Sequence, residues 1–205
     1  PSTVLVITDS AIDATEPTNV ALSALDGLSP TGRVTLRDST VIGKISARVF
    51  TLVSNSILQA ALAQADTWDR AIKALDTQTG CARFSWIPPG SKVPRRYRCQ
   101  PSLALAEAIR IAEEDNPALT PLQRAAITRR VQARMVPGFT KRRYGRAGYL
   151  QLLTSVPVQI RTGADDESEM GLWHMAYQPQ RESNLRTRLD EFLPSGLEAG
   201  FFYET

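Results

Sequence analysis

Three short segments near the start of the chain resemble one another, and this constrains the fold more than any other feature. They are LVITDSAID (5–13), TLRDSTVIG (35–43) and TLVSNSILQ (51–59). Each places an apolar residue before a small polar group and a β-branched pivot. Aligned, Asp9, Asp38 and Ser54 share one position, Ser10, Ser39 and Asn55 the next, and Ile12, Val41 and Ile57 the pivot, with offsets of 29 and 16 residues. Self-similarity of this kind predicts stacked rungs in which equivalent side chains lie above one another. Small polar residues at the corner would then form a hydrogen-bonded ladder, and the Ile/Val positions would fill the interior. The fold class expected is mainly β: a short right-handed parallel β-helix, with an α-helical insertion and a mixed α/β C-terminal segment. An antiparallel sandwich with Asp-Ser turns is the competing arrangement. By this reading residues 1–100 hold the rungs and a cysteine hairpin. Residues 101–147 form a helical insertion with a basic loop, and 148–205 close the same domain.

The stretch GCARFSWIPPGSKVPRRYRCQP (80–101) sets Cys81 and Cys99 each nine residues from Gly90. A turn centred there would place the cysteines opposite each other on antiparallel strands, as either a disulfide or a close pair of thiols. Pro94 cannot donate to a ladder, so the second arm is read as an edge. Beyond it the period becomes helical. PSLALAEAIRIAEEDN (101–116) takes Ser102 as N-cap. TPLQ (120–123) carries a capping box with Pro at the first helical position, and its helix should run to about Met135. Residues 148–163 read as extended in their second half. ESNLRTRLDEFL (182–193) has Leu185, Leu189, Phe192 and Leu193 on one stripe, and GFFYET (200–205) is expected as a closing strand.

One histidine and two cysteines leave no ligand set for a structural zinc site, and no metal or cofactor is expected. Phosphate-binding glycine motifs are absent. His174 would have to serve any Ser-His-Asp triad, yet no Gly-x-Ser-x-Gly elbow accompanies it, so it reads as a structural histidine. Asp165, Asp166, Glu167 and Glu169 form an acidic loop that could supply paired carboxylates or hard-metal ligands, but consecutive loop acids are more often a solvated cluster. Net charge is +3 but unevenly spread: residues 92–146 hold 13 Lys/Arg against 4 Asp/Glu, and 161–205 hold 4 against 9. The candidate binding surface is Lys92, Arg95, Arg96, Tyr97 and Arg98 with Lys141, Arg142, Arg143, Tyr144 and Arg146. It suits polyanions and ring stacking, although pairing with the acidic C-terminal segment would explain it as well. No DNA- or RNA-binding signature is present, and nucleic acid is the least favoured partner.

GCARFSWIPPGSKVPRRYRCQP, DDESEMG (165–171) and QPQRESNLRTRLDEFLPSGLEAGFFY (178–203) resemble the C-terminal region of uncharacterised bacterial right-handed parallel β-helix proteins. Those proteins look associated with phage-tail-like contractile injection systems. The resemblance runs from about residue 34 to the end and brings no catalytic residues with it. It implies a non-enzymatic structural or binding module whose partners are other protein components of an assembly, with self-association through an exposed first rung. The missing initiator methionine agrees with a processed chain or an excerpt. A carbohydrate-binding or polysaccharide-degrading protein of tailspike or pectate-lyase type is the alternative. No apolar run is long enough to span a membrane, so the chain is expected to be soluble, in the bacterial cytoplasm or an extracellular particle.

Overall fold

A computed structural model describes residues 3–200; the expected strand at GFFYET lies, beyond Gly200, outside the described residues. Among the described residues there are ten strands: β1 (Val4–Thr8), β2 (Ala11–Asp13), β3 (Val20–Leu22), β4 (Thr31–Arg37), β5 (Thr40–Ile42), β6 (Lys44–Ser54), β7 (Ile57–Gln59), β8 (Ile72–Asp76), β9 (Cys81–Arg83) and β10 (Arg96–Tyr97). Four α-helices follow: α1 (Ser102–Asp115), α2 (Pro121–Arg134), α3 (Val158–Arg161) and α4 (Gln178–Phe192). The larger sheet runs β1-β4-β6-β9-β10, with β3 and β8 also pairing to β6, and the smaller runs β2-β5-β7. Every strand pair in both sheets is parallel.

The chain bends from one sheet to the other at a repeated corner. Asp9, Asp38, Asn55, Phe84 and Arg98 all take φ between 46° and 50°. Asp and Asn tolerate this left-handed conformation, whereas Phe and Arg rarely adopt it. The residue after each corner is Ser10, Ser39, Ser56, Ser85 or Cys99. Each of these hydroxyls donates to the carbonyl two residues earlier, and the Cys99 thiol does the same to Tyr97 at 3.6 Å. The oxygens of Ser39, Ser56 and Ser85 in turn accept the backbone N–H of Ser10, Ser39 and Ser56 at 3.2, 3.3 and 3.1 Å. A corner that would otherwise bury unpaired amides is thereby satisfied.

This register corrects the alignment expected from sequence. Arg37 pairs with Ser54 and Thr40 with Ile57, so Asp38 stacks on Asn55 and Ser39 on Ser56. The third segment is displaced by one residue. Its Ser-Asn-Ser run offers two serines of equal local merit, and only the alternation of buried faces chooses between them.

Fold class is also corrected. Helix makes up 25% and strand 26%, so the molecule is a mixed α/β structure, not a mainly β right-handed β-helix. The physical reason lies in the two faces of the smaller sheet. Val41 and Leu58 point into a core with Val34, Leu36, Phe50, Val53, Ile72 and Ile87. Ile42 and Ile57 point the other way and need a cover of their own. Trp86, Val131, Met135, Leu150, Ile160 and Met170 supply it, forming a second core. Burying two apolar faces calls for two layers against the smaller sheet, and the chain after residue 100 provides the outer one.

The antiparallel hairpin at 81–99 is not formed. Arg96 pairs with Ala82 and Tyr97 with Arg83 in parallel. That offset sets Cys81 level with Arg95, and Cys99 level with Ser85, so the cysteines do not oppose each other. Both are free thiols. Burial pushes the Cys99 thiol up, with backbone hydrogen bonding at Ser85 and Tyr97 and the Arg96 charge pulling the other way.

Among the helices, the Thr120–Gln123 capping box forms with both reciprocal bonds, and α2 ends at Arg134 with Met135 as its C-cap. Helix α1 is capped by Pro101 rather than Ser102, whose hydroxyl instead accepts from Arg96. Helix α3 replaces the extended segment expected near 158. No helix among the described residues is long and apolar enough to cross a membrane.

Candidate functional site

A connected group of polar side chains gathers where residues 164–174 dock on the corner column. Asn55 is its hub. Its amide donates to Asp38 Oδ1 at 3.0 Å and to Asp165 Oδ1 at 2.8 Å, and its carbonyl oxygen Oδ1 accepts the Asp165 N–H at 3.2 Å. The Asn55 backbone carbonyl accepts from Gly171 at 2.7 Å, and Thr40 Oγ1 accepts from Leu172 at 2.9 Å. Gly171 has φ of +95°, and a Cβ there would meet Thr40 Oγ1 at 2.5 Å, so this close approach requires glycine.

The docked segment carries His174, which is 6% exposed. Its Nδ1 lies 2.6 Å from Ser168 Oγ and 3.3 Å from the Glu169 carbonyl. Its Nε2 stands 3.6 Å from both Asp38 Oδ1 and Asp166 Oδ2. Ser168 donates its hydroxyl at 2.6 Å and its N–H at 3.0 Å to Asp166 Oδ1. Burial pushes the Asp166 carboxyl up, but the Ser168 hydroxyl and amide and the adjacent His174 outweigh it and hold the group below its ordinary value. Ser, His and Asp are thus together, but not as hydrolytic machinery. Ser168 is fully buried and its proton is committed to a carboxylate, leaving no accessible nucleophile.

The four acidic-loop residues separate by role. Asp165 and Asp166 join the corner cluster. Glu167 lines a neighbouring cleft of about 370 Å³ with Phe84, Arg98 and Asp165. Glu169 turns inward, is 4% exposed, and accepts the Leu152 N–H at 2.9 Å. Burial pushes its carboxyl up to about 7, against the Leu152 hydrogen bond and Arg161. It borders a second cavity of about 180 Å³ beside Arg161 and Glu182, which pair at 2.8 Å.

The ten basic-surface residues fall into two separate groups. Lys92, Arg95, Tyr97 and Arg98 are exposed around β10, at the opposite end of the larger sheet from β1. Arg96 is turned into structure, donating to Ser102 Oγ at 2.9 Å and the Ser91 carbonyl at 3.0 Å. Lys141, Arg142, Arg143, Tyr144 and Arg146 are all exposed on the 139–149 loop. Arg142 reaches Gln59 and the Thr15 carbonyl, both at 3.3 Å, and Tyr149 of the same loop donates to Asp13 at 2.6 Å. That loop is fastened to the smaller sheet, away from β10.

Sequence reading found the acidic loop and His174 but missed Asp38, Asn55 and Ser168 as their partners. The available signal was the Asp/Asn-Ser corner motif in correct register, which brings positions 38 and 55 together. No protein-family model, curated protein or solved structure matches the chain.

Proposed function

We propose that this protein is a non-enzymatic structural or binding module that joins other protein components of a larger assembly. The observation that carries the reading is the edge at β1. Among the described residues this strand pairs only with β4, so its other side is an open sheet edge. Its outward residues Val4 and Val6 are 62% and 63% exposed, and inward Leu5 and Ile7 are half-buried. Native proteins normally blunt such an edge with charge, proline or a bulge, and none of these interrupts β1. An added strand from a second copy or another component would satisfy the open groups and cover the apolar residues. The likeness of three segments to proteins associated with phage-tail-like contractile injection systems supports a partner of that kind.

The test pairs sedimentation velocity on the wild-type and Val6→Lys proteins with capture of partners from the native cells. A charge on the outward face of β1 should reduce association at least tenfold without lowering the melting temperature. Recovery of tube, sheath or baseplate components by wild type alone would support the assembly reading. A wild type that stays monomeric and captures only surface polysaccharide would overturn it in favour of a glycan-directed protein.

A further inference from the structure

We propose that His174, Asp165 and Asp166 bind a first-row divalent metal ion, which pins the 164–174 segment to the corner column. Side-chain ligand atoms of the three residues all lie within 4.8 Å of one another. Acidic groups alone would not make a site; the His174 imidazole, 6% exposed, adds a nitrogen ligand to them.

The hydrogen bonds around His174 determine which nitrogen carries the proton. Ser168 has one hydroxyl proton, and at 2.6 Å from Asp166 Oδ1 it is donated to that carboxylate, which at neutral pH is acceptor-only. The Ser168 oxygen, 2.6 Å from Nδ1, therefore accepts from the ring. Nδ1 therefore carries a hydrogen, which leaves Nε2 as the ring nitrogen available to a metal. Nε2 makes no hydrogen bond among the described residues and faces carboxylate oxygens of Asp38 and Asp166, each at 3.6 Å.

These acceptors converge, and a cation between them would relieve their mutual repulsion; Asp165 and Asp166 are exposed, which leaves an ion a way in. Among the described residues, His174 is the only basic group in ion-pair range of Asp38 and Asp166. The spacing suits a metal. An ion about 2.1 Å from both Nε2 and a carboxylate oxygen 3.6 Å away subtends an angle of about 120°, near tetrahedral. The Ser168 oxygen on Nδ1 supplies the outer hydrogen bond that metal-bound histidines characteristically make. An imidazole with carboxylates favours first-row ions such as Zn²⁺ over Mg²⁺ or Ca²⁺, which prefer all-oxygen sites. Asn55 holds Asp165 through its amide, and Asp38 stands 3.6 Å from Nε2 as a further carboxylate.

His174 is the only histidine in the chain, so its ring nitrogens can be followed by ¹⁵N NMR in the unmutated protein. After chelator treatment, Zn²⁺ is added to one equivalent, with Mg²⁺ as the comparison. The expected result is an Nδ1–H ring before addition and a shift of the Nε2 signal complete at one equivalent of Zn²⁺. Calorimetry should show binding weakened by roughly tenfold or more in Asp165→Asn/Asp166→Asn, and unchanged in Cys81→Ser, which removes the more exposed thiol. An imidazole unmoved by stoichiometric Zn²⁺ would overturn the proposal, as would undiminished affinity in a folded double variant. The NMR experiment needs no substitution, so a double variant that fails to fold leaves the test standing. Its outcome does not depend on association through β1.

Discussion

Replacing Glu169 by Gln isolates one buried charge. The wild-type carboxyl accepts from Leu152 at 2.9 Å, and glutamine can keep that bond through its own carbonyl oxygen. What changes is the ionisable oxygen. Burial raises the folded pKa to about 7 from an ordinary 4.5, so the folded state holds the proton more tightly than the unfolded chain. Below pH 4.5 both states are protonated and the group costs nothing. As pH rises from 4.5 to 7 the unfolded chain ionises first, and the native state loses stability relative to it. Above pH 7 the full penalty applies, roughly 3 kcal/mol for a shift of this size. Urea denaturation of wild type and Glu169→Gln at pH 4.5, 6 and 8, with chelator present, reads the difference directly. The variant should gain on the wild type by roughly 3 kcal/mol across that range, while all other titrating groups cancel between the two proteins. A difference that stays constant with pH would refute the reasoning, because it would mean that Glu169 titrates alike folded and unfolded.

Ser56→Ala should destabilise the protein by about 1–3 kcal/mol in the same assay, because the fully buried Ser56 hydroxyl accepts the Ser39 N–H and donates to the Ser54 carbonyl. Alanine would leave both backbone groups buried without these partners, and an unchanged midpoint would show that the corner ladder is dispensable. At acid pH the Lys44–Asp66 pair should matter. The Lys44 ammonium, with the Ala63 and Trp68 amides, holds the Asp66 carboxyl down at about 2. Its contribution is therefore intact above about pH 3.8 and is lost as pH falls through 2. The stability difference between wild type and Asp66→Asn should narrow over that interval, and a gap of constant size would argue against the pairing.

How much of this was legible in the sequence depended on the distance over which each feature is decided. The Thr120–Gln123 box is settled within four residues by the geometry of one helical turn, and it forms as expected. The serine corners are also local, since each hydroxyl bonds to a carbonyl two residues away. Their register is not. Ser-Asn-Ser at 54–56 fits two alignments equally until Val53 and Leu58 must face one core and Ile57 the other. Cys81 and Cys99, symmetric about Gly90, suggested strands running in opposite directions. Instead a loop carries the chain back to the N-terminal end of β9, and β10 runs parallel to it. Cys99 thereby stands in the serine column, a role that no spacing between cysteines reveals.

The sequence by itself determined the Thr120–Gln123 cap, the polar character of the corners and the charge of the acidic loop, because short-range sterics and hydrogen bonding decide these within a few residues. Only the tertiary structure decided that Asp38 and Asn55 would meet Asp165, Asp166 and His174, over a hundred residues further along the chain. That meeting follows from covering the outer face of the smaller sheet. Ile42 and Ile57 draw Met170 and Ile160 onto them, and the polar residues beside those apolar anchors are carried to the corner with them.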